Sequence, residues 1–312
     1  MKVKRYSKED KINWDDFLKE AKNSHFMFFR DYMDYHSDRF SDHSLLFYDN
    51  KEKLVAVLPA NKNGNELISH QGLSFGGLLI KSEFDTLKFV QCIDALILYC
   101  KENSFNTLLY KKIPTIYSSS LSEEDSYALF YKGAELYRRD LNCAVDYKVS
   151  QEYSKSRTRN VKKAKKNGIS CLQSNEDIEE FYRVLSANLS TVHNLVPPHS
   201  LEELNLLQTR FPENILLFVA KKDDQVLAGV LVFVTRFVIH AQYIASTEEG
   251  RRIGALDLLF DHIIKSFEES ASYFSFGVST EDSGKFINEG LVFQKEGFGA
   301  RAYVHDFYRL EI

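Results

Sequence analysis

Residues 215–246 read ILLFVAKKDDQVLAGVLVFVTRFVIHAQYIAS. Three apolar runs lie in that stretch: ILLFVAKK (215–222), QVLAGVLVFVTR (225–236) and VIHAQYIAS (238–246). Short polar breaks separate them, so the stretch predicts three consecutive antiparallel strands. Working outward, GALDLLFDHIIKSFEES (254–270) reads as a helix and YFSFGVS (273–279) as a strand. KFINEGLVFQKEGF (285–298) reads as a helix and ARAYVHDFYRLEI (300–312) as a last strand. On the other side lie a strand, ISCLQS (169–174), and two helices, EDIEEFYRVLSANLSTVHN (176–194) and SLEELNLLQTRF (200–211).

The first half of the chain repeats this order. VKRY (3–6) is a strand, NWDDFLKEAKNS (13–24) a helix with Asn13 as its expected cap, and RDYMDYHSDRF (30–40) a second helical piece. SLLFYD, KLVAVLPANK and ELISH come next as three strands, the last after the Asn63-Gly64 turn signal. A long helix (84–104), a strand (107–114), a helix (122–133) and a strand (135–147) complete the copy. Each half reads strand, two helices, three antiparallel strands, helix, strand, helix, strand. That match predicts a tandem duplication, with domains 1–150 and 151–312 and an α+β (mixed α/β) fold. Each domain is expected to hold a central, mostly antiparallel sheet flanked by helices.

The 312 residues carry a net charge of −4, five prolines and fourteen glycines, which argues against long disordered segments. No run approaches the ~18 apolar residues of a membrane-spanning helix, and the start of the chain lacks a signal-peptide core, so a cytoplasmic location is expected. The four cysteines have no CxxC spacing and the nine histidines form no HxH or HExxH pair, so neither disulfides nor a metal site is expected. Against the acidic background stands YSKSRTRNVKKAKKNGIS (153–170), with seven basic residues between Lys155 and Lys166 and no acid. On a helix over 154–168, Val161, Ala164 and Ile169 leave a thin apolar line, and the cations repel one another at i, i+3 and i, i+4. The segment reads as a solvated face, an RNA-contacting patch or a cradle for a diphosphate. DNA is excluded as a partner, since no helix-turn-helix, zinc-finger or RRM pattern accompanies the charge.

The element order resembles the GNAT acyltransferase fold, and its doubling resembles the FemAB/FemX family of peptidoglycan aminoacyl transferases and their acetyltransferase-like relatives. Three stretches carry the resemblance: the basic segment SKSRTRNVKKAKKNGIS, the near-terminal GLVFQKEGFGAR with Phe293, Lys295, Phe298 and Gly299, and the glycine-containing turn SHQGLSFGG (69–77). A helical hairpin insertion, found in tRNA-dependent members, has no counterpart.

The resemblance implies two tandem GNAT-like domains and an N-acyltransferase. The acyl group, expected to be acetyl, would move from acyl-CoA to the amine of a cell-envelope precursor such as a nucleotide-linked amino sugar or a muropeptide. The alternatives are an aminoacyl-tRNA-dependent peptidyl transferase of the FemAB type and a non-catalytic sugar-nucleotide-binding relative. In STEEGRRIGALDLL (246–259), Arg251, Arg252, Gly254 and Ala255 are the expected donor-diphosphate residues, through free N–H groups at a helix start. Leu256 stands where the GNAT signature has Gly or Ala. By resemblance Lys295 stabilises the oxyanion; its plainer reading is a surface lysine. Glu281 and Asp282, at a strand end before a helix, would hold or deprotonate the acceptor ammonium, or simply cap that helix. Arg157 or Arg159 is expected to grip an acceptor diphosphate bidentately. His70 and Gln71, among Gly72, Gly76 and Gly77, and Tyr243 complete the substrate-binding set. His240 and Tyr243 are expected on opposite faces of their strand.

Overall fold

The computed structural model describes residues 1–149, 152–190 and 196–312, so the boundary expected at 150/151 and the end of the helix expected over 176–194 lie outside the described residues. The chain forms two compact units: Met1–Leu141 with Thr280–Phe286 and Val304–Ile312, and Asn142–Ser279 with Ile287–Tyr303.

In the second unit the decisive stretch forms three antiparallel strands, Ile215–Lys222, Gln225–Val234 and Val238–Ser246. Ser170–Gln173 pairs outside the first of them. Val238–His240 then pairs in parallel with Tyr273–Ser275, and that strand, Tyr273–Val278, pairs antiparallel with residues 142–146. Alternate residues face opposite ways. Ala228, Val230, Val232, Ile239 and Ala241 enter a core with Leu258, Leu259, Phe260 and Ile263 of the helix Ala255–Ser266. On the other face Gly229 lies against Phe181 of the helix Ile178–Asn188; an added Cβ would come within 2.3 Å of that ring.

The basic segment is a helix, Lys155–Lys166, capped by Ser154, whose Oγ accepts from the Arg157 N–H at 3.3 Å. Val161 and Ala164 are its buried residues, and Ile169 just beyond is buried too. It packs through them against the core shared with Ala255–Ser266, which makes the apolar line its anchoring stripe.

The first unit repeats the arrangement with its strands cut into shorter pieces. Leu54–Leu58 and Asn61–Asn63 together pair with Glu66–Ile68 and Leu79–Ile80. Leu45–Tyr48 and Lys2–Arg5 extend one end of this system. Glu66–Ile68 pairs in parallel with residues 107–109 of the strand Thr107–Lys111, and that strand pairs with 307–311. The helix Thr86–Glu102 buries Phe89, Cys92, Ile93, Leu96 and Cys100 against this sheet.

Two local expectations change. The first long helix starts at Lys11, after a 3-10 turn in which Ser7 and Asp10 form a reciprocal capping box, so Asn13 is interior rather than the cap. The last helix is short, Glu289–Glu296, with Asn288 as its cap.

Candidate active site: a fork in the second sheet

Beyond His240 and Ser275 the two parallel strands of the second unit separate. Residues 241–246 keep their antiparallel partner on one side, and no described strand pairs with them on the other. Their backbone groups on that side are open to an extended ligand added as a strand would be. The same strand carries a bulge: Val232 faces Ala241 and Leu231 faces Tyr243, leaving Gln242 as the extra residue. The bulge corrects the expected geometry of His240 and Tyr243. Their partners Phe233 and Leu231 are two residues apart on one strand, so His240 and Tyr243 share a face. Tyr243 is buried and its hydroxyl meets His199 Nδ1 at 2.5 Å, which fixes the phenol beside the bulge.

The apex of the fork is a polar cluster. Ser275 Oγ lies 3.1 Å from His240 Nδ1 and 2.9 Å from the Tyr303 hydroxyl, and it accepts from the Gly277 N–H at 3.2 Å. Gly277 has φ +74°, and an added Cβ would stand 3.3 Å from His240 Cε1, so glycine lets the strand turn off at the fork. Lys295 reaches this arm from the helix Glu289–Glu296. Its ammonium donates to Gly277 O at 3.0 Å, Val278 O at 2.5 Å and Ser279 Oγ at 2.9 Å. Three N–H groups meet three acceptors, which is the full donor capacity of a lysine. Lys295 is only 4% exposed, so the surface-lysine reading is replaced by a buried cation fixed to one arm of the fork. Burial lowers its pKa to about 8. Burial first, and the Lys295 charge second, lower His240 to about 4, so the imidazole at the apex is neutral at pH 7.

The expected donor turn is built differently. Residues 248–253 are helical, capped by Thr247, whose Oγ1 accepts from the Gly250 N–H at 3.0 Å. The Arg251 and Gly254 N–H groups are taken by Thr247 O and Gly250 O, each at 3.0 Å. Gly254 turns the chain with φ +83° into the helix that begins at Ala255, and an added Cβ there would sit 2.8 Å from Asn160 O of the basic helix. The Arg251 and Gly254 amides are thus held within the chain, whereas Ala255 is the first residue of its helix, where backbone N–H groups have no intrahelical acceptor. Arg251 donates from its side chain to Ser246 O at 2.6 Å and to Asn188 Oδ1 at 3.2 Å; Arg252 is exposed and offers its carbonyl to Lys163 Nζ at 2.7 Å. Leu256 packs against the core.

Of the two arginines expected to hold a diphosphate, Arg157 is committed to Asp257: NH1 lies 2.6 Å from Oδ1, with both side chains largely buried. Arg159 is exposed. Glu281 and Asp282 are exposed at the start of a tight turn in which Asp282 and Ser283 have φ +47° and +54°. They do not cap the next helix, since Asn288 does. In the first unit His70 is buried and Gln71 is held by Asn61, whose Nδ2 donates to Gln71 Oε1 at 2.8 Å. Sequence reasoning gave no role to Ser275, Tyr303 or Ser279. They meet only through pairing between distant segments, and no local pattern marks them.

Residues 152–283 match the family described as Acetyltransferase (GNAT) domain. Residues 152–283 are a GNAT acetyltransferase domain by this match. The fork, the bulged arm and the helix beyond the turn all belong to it, and the domain makes the protein a transferase. No curated protein matches the chain. Among solved structures, FemX superposes over 100% of this chain and 98% of its own, with TM-score 0.69 at 10% identity. The C-terminal domain of a putative lysylphosphatidylglycerol synthetase from Agrobacterium fabrum covers 96% of this chain and 91% of its own, with TM-score 0.62 at 13% identity. A tandem GNAT protein from the clavulanic acid biosynthesis pathway covers 99% and 98%, with TM-score 0.53 at 11% identity. At such identities the likeness is one of fold: the chain has the double GNAT fold. No helix among the described residues is long and apolar enough to cross a membrane.

Proposed function

We propose that the protein is an N-acyltransferase that moves an acyl group onto the amine of a cell-envelope precursor, such as a nucleotide-linked amino sugar or a muropeptide, at the fork of the second unit. The observation that carries this reading is the separation of two parallel strands just past His240 and Ser275, with the buried Lys295 ammonium fixed on one arm. The donor lies along residues 241–246 and brings its carbonyl to the apex. The acceptor amine attacks that carbonyl directly, the carbon–sulfur or carbon–oxygen bond to the donor breaks, and the amine proton passes to a base. Negative charge gathering on the carbonyl oxygen is stabilised by Lys295, which acts as a fixed cation in a dry setting and keeps its three hydrogen bonds. Glu281 and Asp282 remain the proposed acid–base pair, Arg159 the proposed diphosphate contact, and Tyr243 the proposed acceptor contact.

Acyl-CoA is the proposed donor, with Arg252 as an exposed cation of the proposed diphosphate turn. One observation favours a second reading, in which the donor is an aminoacyl-tRNA ester: the Arg251 and Gly254 amides are engaged within the chain and the Gly254 turn is covered by Asn160. Calorimetric titration with acetyl-CoA, alongside mass spectrometry of an amine-bearing sugar nucleotide incubated with donor, tests the proposal. Binding of acetyl-CoA and a 42 Da gain on the acceptor, about one acetyl group, is the expected result. Absence of CoA binding with consumption of charged tRNA gives the second reading, and inertness towards both overturns acyl transfer.

A further inference from the structure

We infer that, independently of acyl transfer at the open fork, the first unit contains a binding site for a small carboxylate, formed by Lys111 and His70 at the end of its own parallel strand pair.

Lys111 ends the strand Thr107–Lys111 and is 9% exposed. Its backbone is held on both sides: Ser69 Oγ accepts from its N–H at 2.6 Å, and its carbonyl accepts from the Gly76 N–H at 3.1 Å. The side chain is thus delivered to one fixed place, where the ammonium donates to Leu73 O. That is its one hydrogen bond among the described residues, although an ammonium has three N–H groups. No carboxylate among the described residues compensates it; the charge it feels is Arg138, a like charge, which is itself paired with Asp140 at 2.7 Å. A buried ammonium with two idle donors and no counter-charge is costly.

His70 is tied to the same residue, Leu73. Its ring is 2% exposed, and Nδ1 is buried without a hydrogen-bond partner. The residue takes φ +51°, a backbone conformation uncommon outside glycine, asparagine and aspartate. Leu73 joins the two groups: its N–H donates to His70 O at 3.2 Å, while its carbonyl receives Lys111. The His70 ring stacks on His36 with centroids 5.2 Å apart. His305 Nε2 is a further buried nitrogen without a partner, and both imidazoles lie in the field of Lys111.

The ligand is set by this inventory. Idle N–H donors require an acceptor, and the uncompensated ammonium requires negative charge. Burial holds both imidazoles far below their ordinary pKa and lowers Lys111 to about 7, so the site carries at most one positive charge, fully present below pH 7. A monoanion balances it, whereas a phosphate dianion would leave a buried excess. A carboxylate offers two oxygens and about four lone-pair positions, enough for Lys111 and the Nδ1–H tautomer of His70 together.

The test uses the full-length protein and acetate as the probe, with chloride at equal ionic strength and inorganic phosphate as comparisons. Acetate should raise the melting temperature saturably, beyond chloride and beyond phosphate. Lys111→Met should weaken acetate binding at least tenfold while the protein stays folded, because replacing a lone buried charge with an apolar chain of similar length is tolerated. His70→Asn, which accommodates the positive φ, should weaken it severalfold. The double variant Lys162→Ala/Lys166→Ala on the basic helix should leave it unchanged. The inference is overturned if acetate does no more than chloride, if phosphate binds better, or if Lys111→Met binds acetate as the wild type does.

Discussion

In the second unit, Val238–Ser246 runs along its partner strand with one extra residue, Gln242, and leaves its far side open beyond His240. In the first unit the matching strand is interrupted after Ile68 and resumes at Leu79, and residues 69–78 between them fold back over the end of Thr107–Lys111. Both units begin their fork with three parallel residue pairs, Val238–His240 against Tyr273–Ser275 and Glu66–Ile68 against residues 107–109. Past those pairs the two forks diverge. In the first fork Ser69 and Gly76 occupy both backbone groups of Lys111, and the Tyr110 hydroxyl accepts from the Leu78 N–H at 2.8 Å. One fork is left open beyond its parallel pairs; the other is filled by its own chain. A duplicated fold therefore need not carry a duplicated donor site.

The largest expected effect comes from breaking the filled fork. Gly76 approaches Ser69 so closely that a Cβ would lie 2.3 Å from a backbone oxygen, which cannot swing aside as a side chain would. Gly76→Val should cost about 4 kcal/mol, the upper range for overpacking. At the bulge of the open fork, Gln242→Ala should change stability by less than about 0.5 kcal/mol. Urea unfolding of the two variants reads the contrast directly, and equal losses would mean that the two forks are equally filled.

Next in size is the cation of the open fork. Lys295→Met keeps the length of the chain and removes the charge, so kcat should fall about 10²-fold with little change in donor affinity. Loss of donor binding with kcat preserved would make Lys295 a strand clamp only.

Much of this contrast was legible in the sequence, and its decisive part was not. Three apolar runs, repeated in both halves, give the strands because period and length are local properties of the chain. The glycines of SHQGLSFGG stand out in the sequence, and Gly76 and Gly77 do allow close approach, but what approaches is the protein's own Ser69 backbone and Tyr110 side chain. A single-residue bulge has no local signature here, so the alternation rule put His240 and Tyr243 on opposite faces when they share one. In RRIGAL the residue types suit an anion turn, and the close approach of Asn160 to Gly254 could not be read there because it depends on how the basic helix packs. Arg157 was expected to be free for the same reason: its partner Asp257 lies one hundred positions away along the chain.

That ion pair supplies a smaller effect. Arg157 and Asp257 are both largely buried, and removing the arginine leaves an uncompensated carboxylate whose pKa burial already raises. Arg157→Met should destabilise the second unit by about 3 kcal/mol, and Asp257→Asn made on top of it should restore part of that loss. Arg159→Ala, on the exposed side of the same helix, should leave stability within about 0.5 kcal/mol and raise KM for a diphosphate-bearing acceptor. A stability loss from Arg159→Ala, or none from Arg157→Met, would reverse the division of labour along the basic helix.

The smallest effect separates the two buried lysines by pH. Burial lowers Lys111 to about 7 and Lys295 to about 8, against 10.5 in the unfolded chain. Between the folded and unfolded pKa values the unfolded chain binds more protons, so stability rises with pH through that window. The cost of keeping each lysine charged in the interior is fully present below its folded pKa and is relieved by about pH 10.5. Wild-type protein should therefore gain stability from pH 7 to 9. Lys111→Met should lose the part of the gain that begins near pH 7, Lys295→Met the part that begins near pH 8. Saturating acetate should mimic Lys111→Met in this respect, because a bound carboxylate raises the pKa of Lys111 towards its unfolded value and flattens the slope. Acetate should have no such influence on the part contributed by Lys295, since that ammonium already has three acceptors and needs no anion. Urea midpoints at three pH values, with and without acetate, decide it: a slope that acetate flattens equally in wild type and in Lys111→Met would detach the carboxylate from the filled fork.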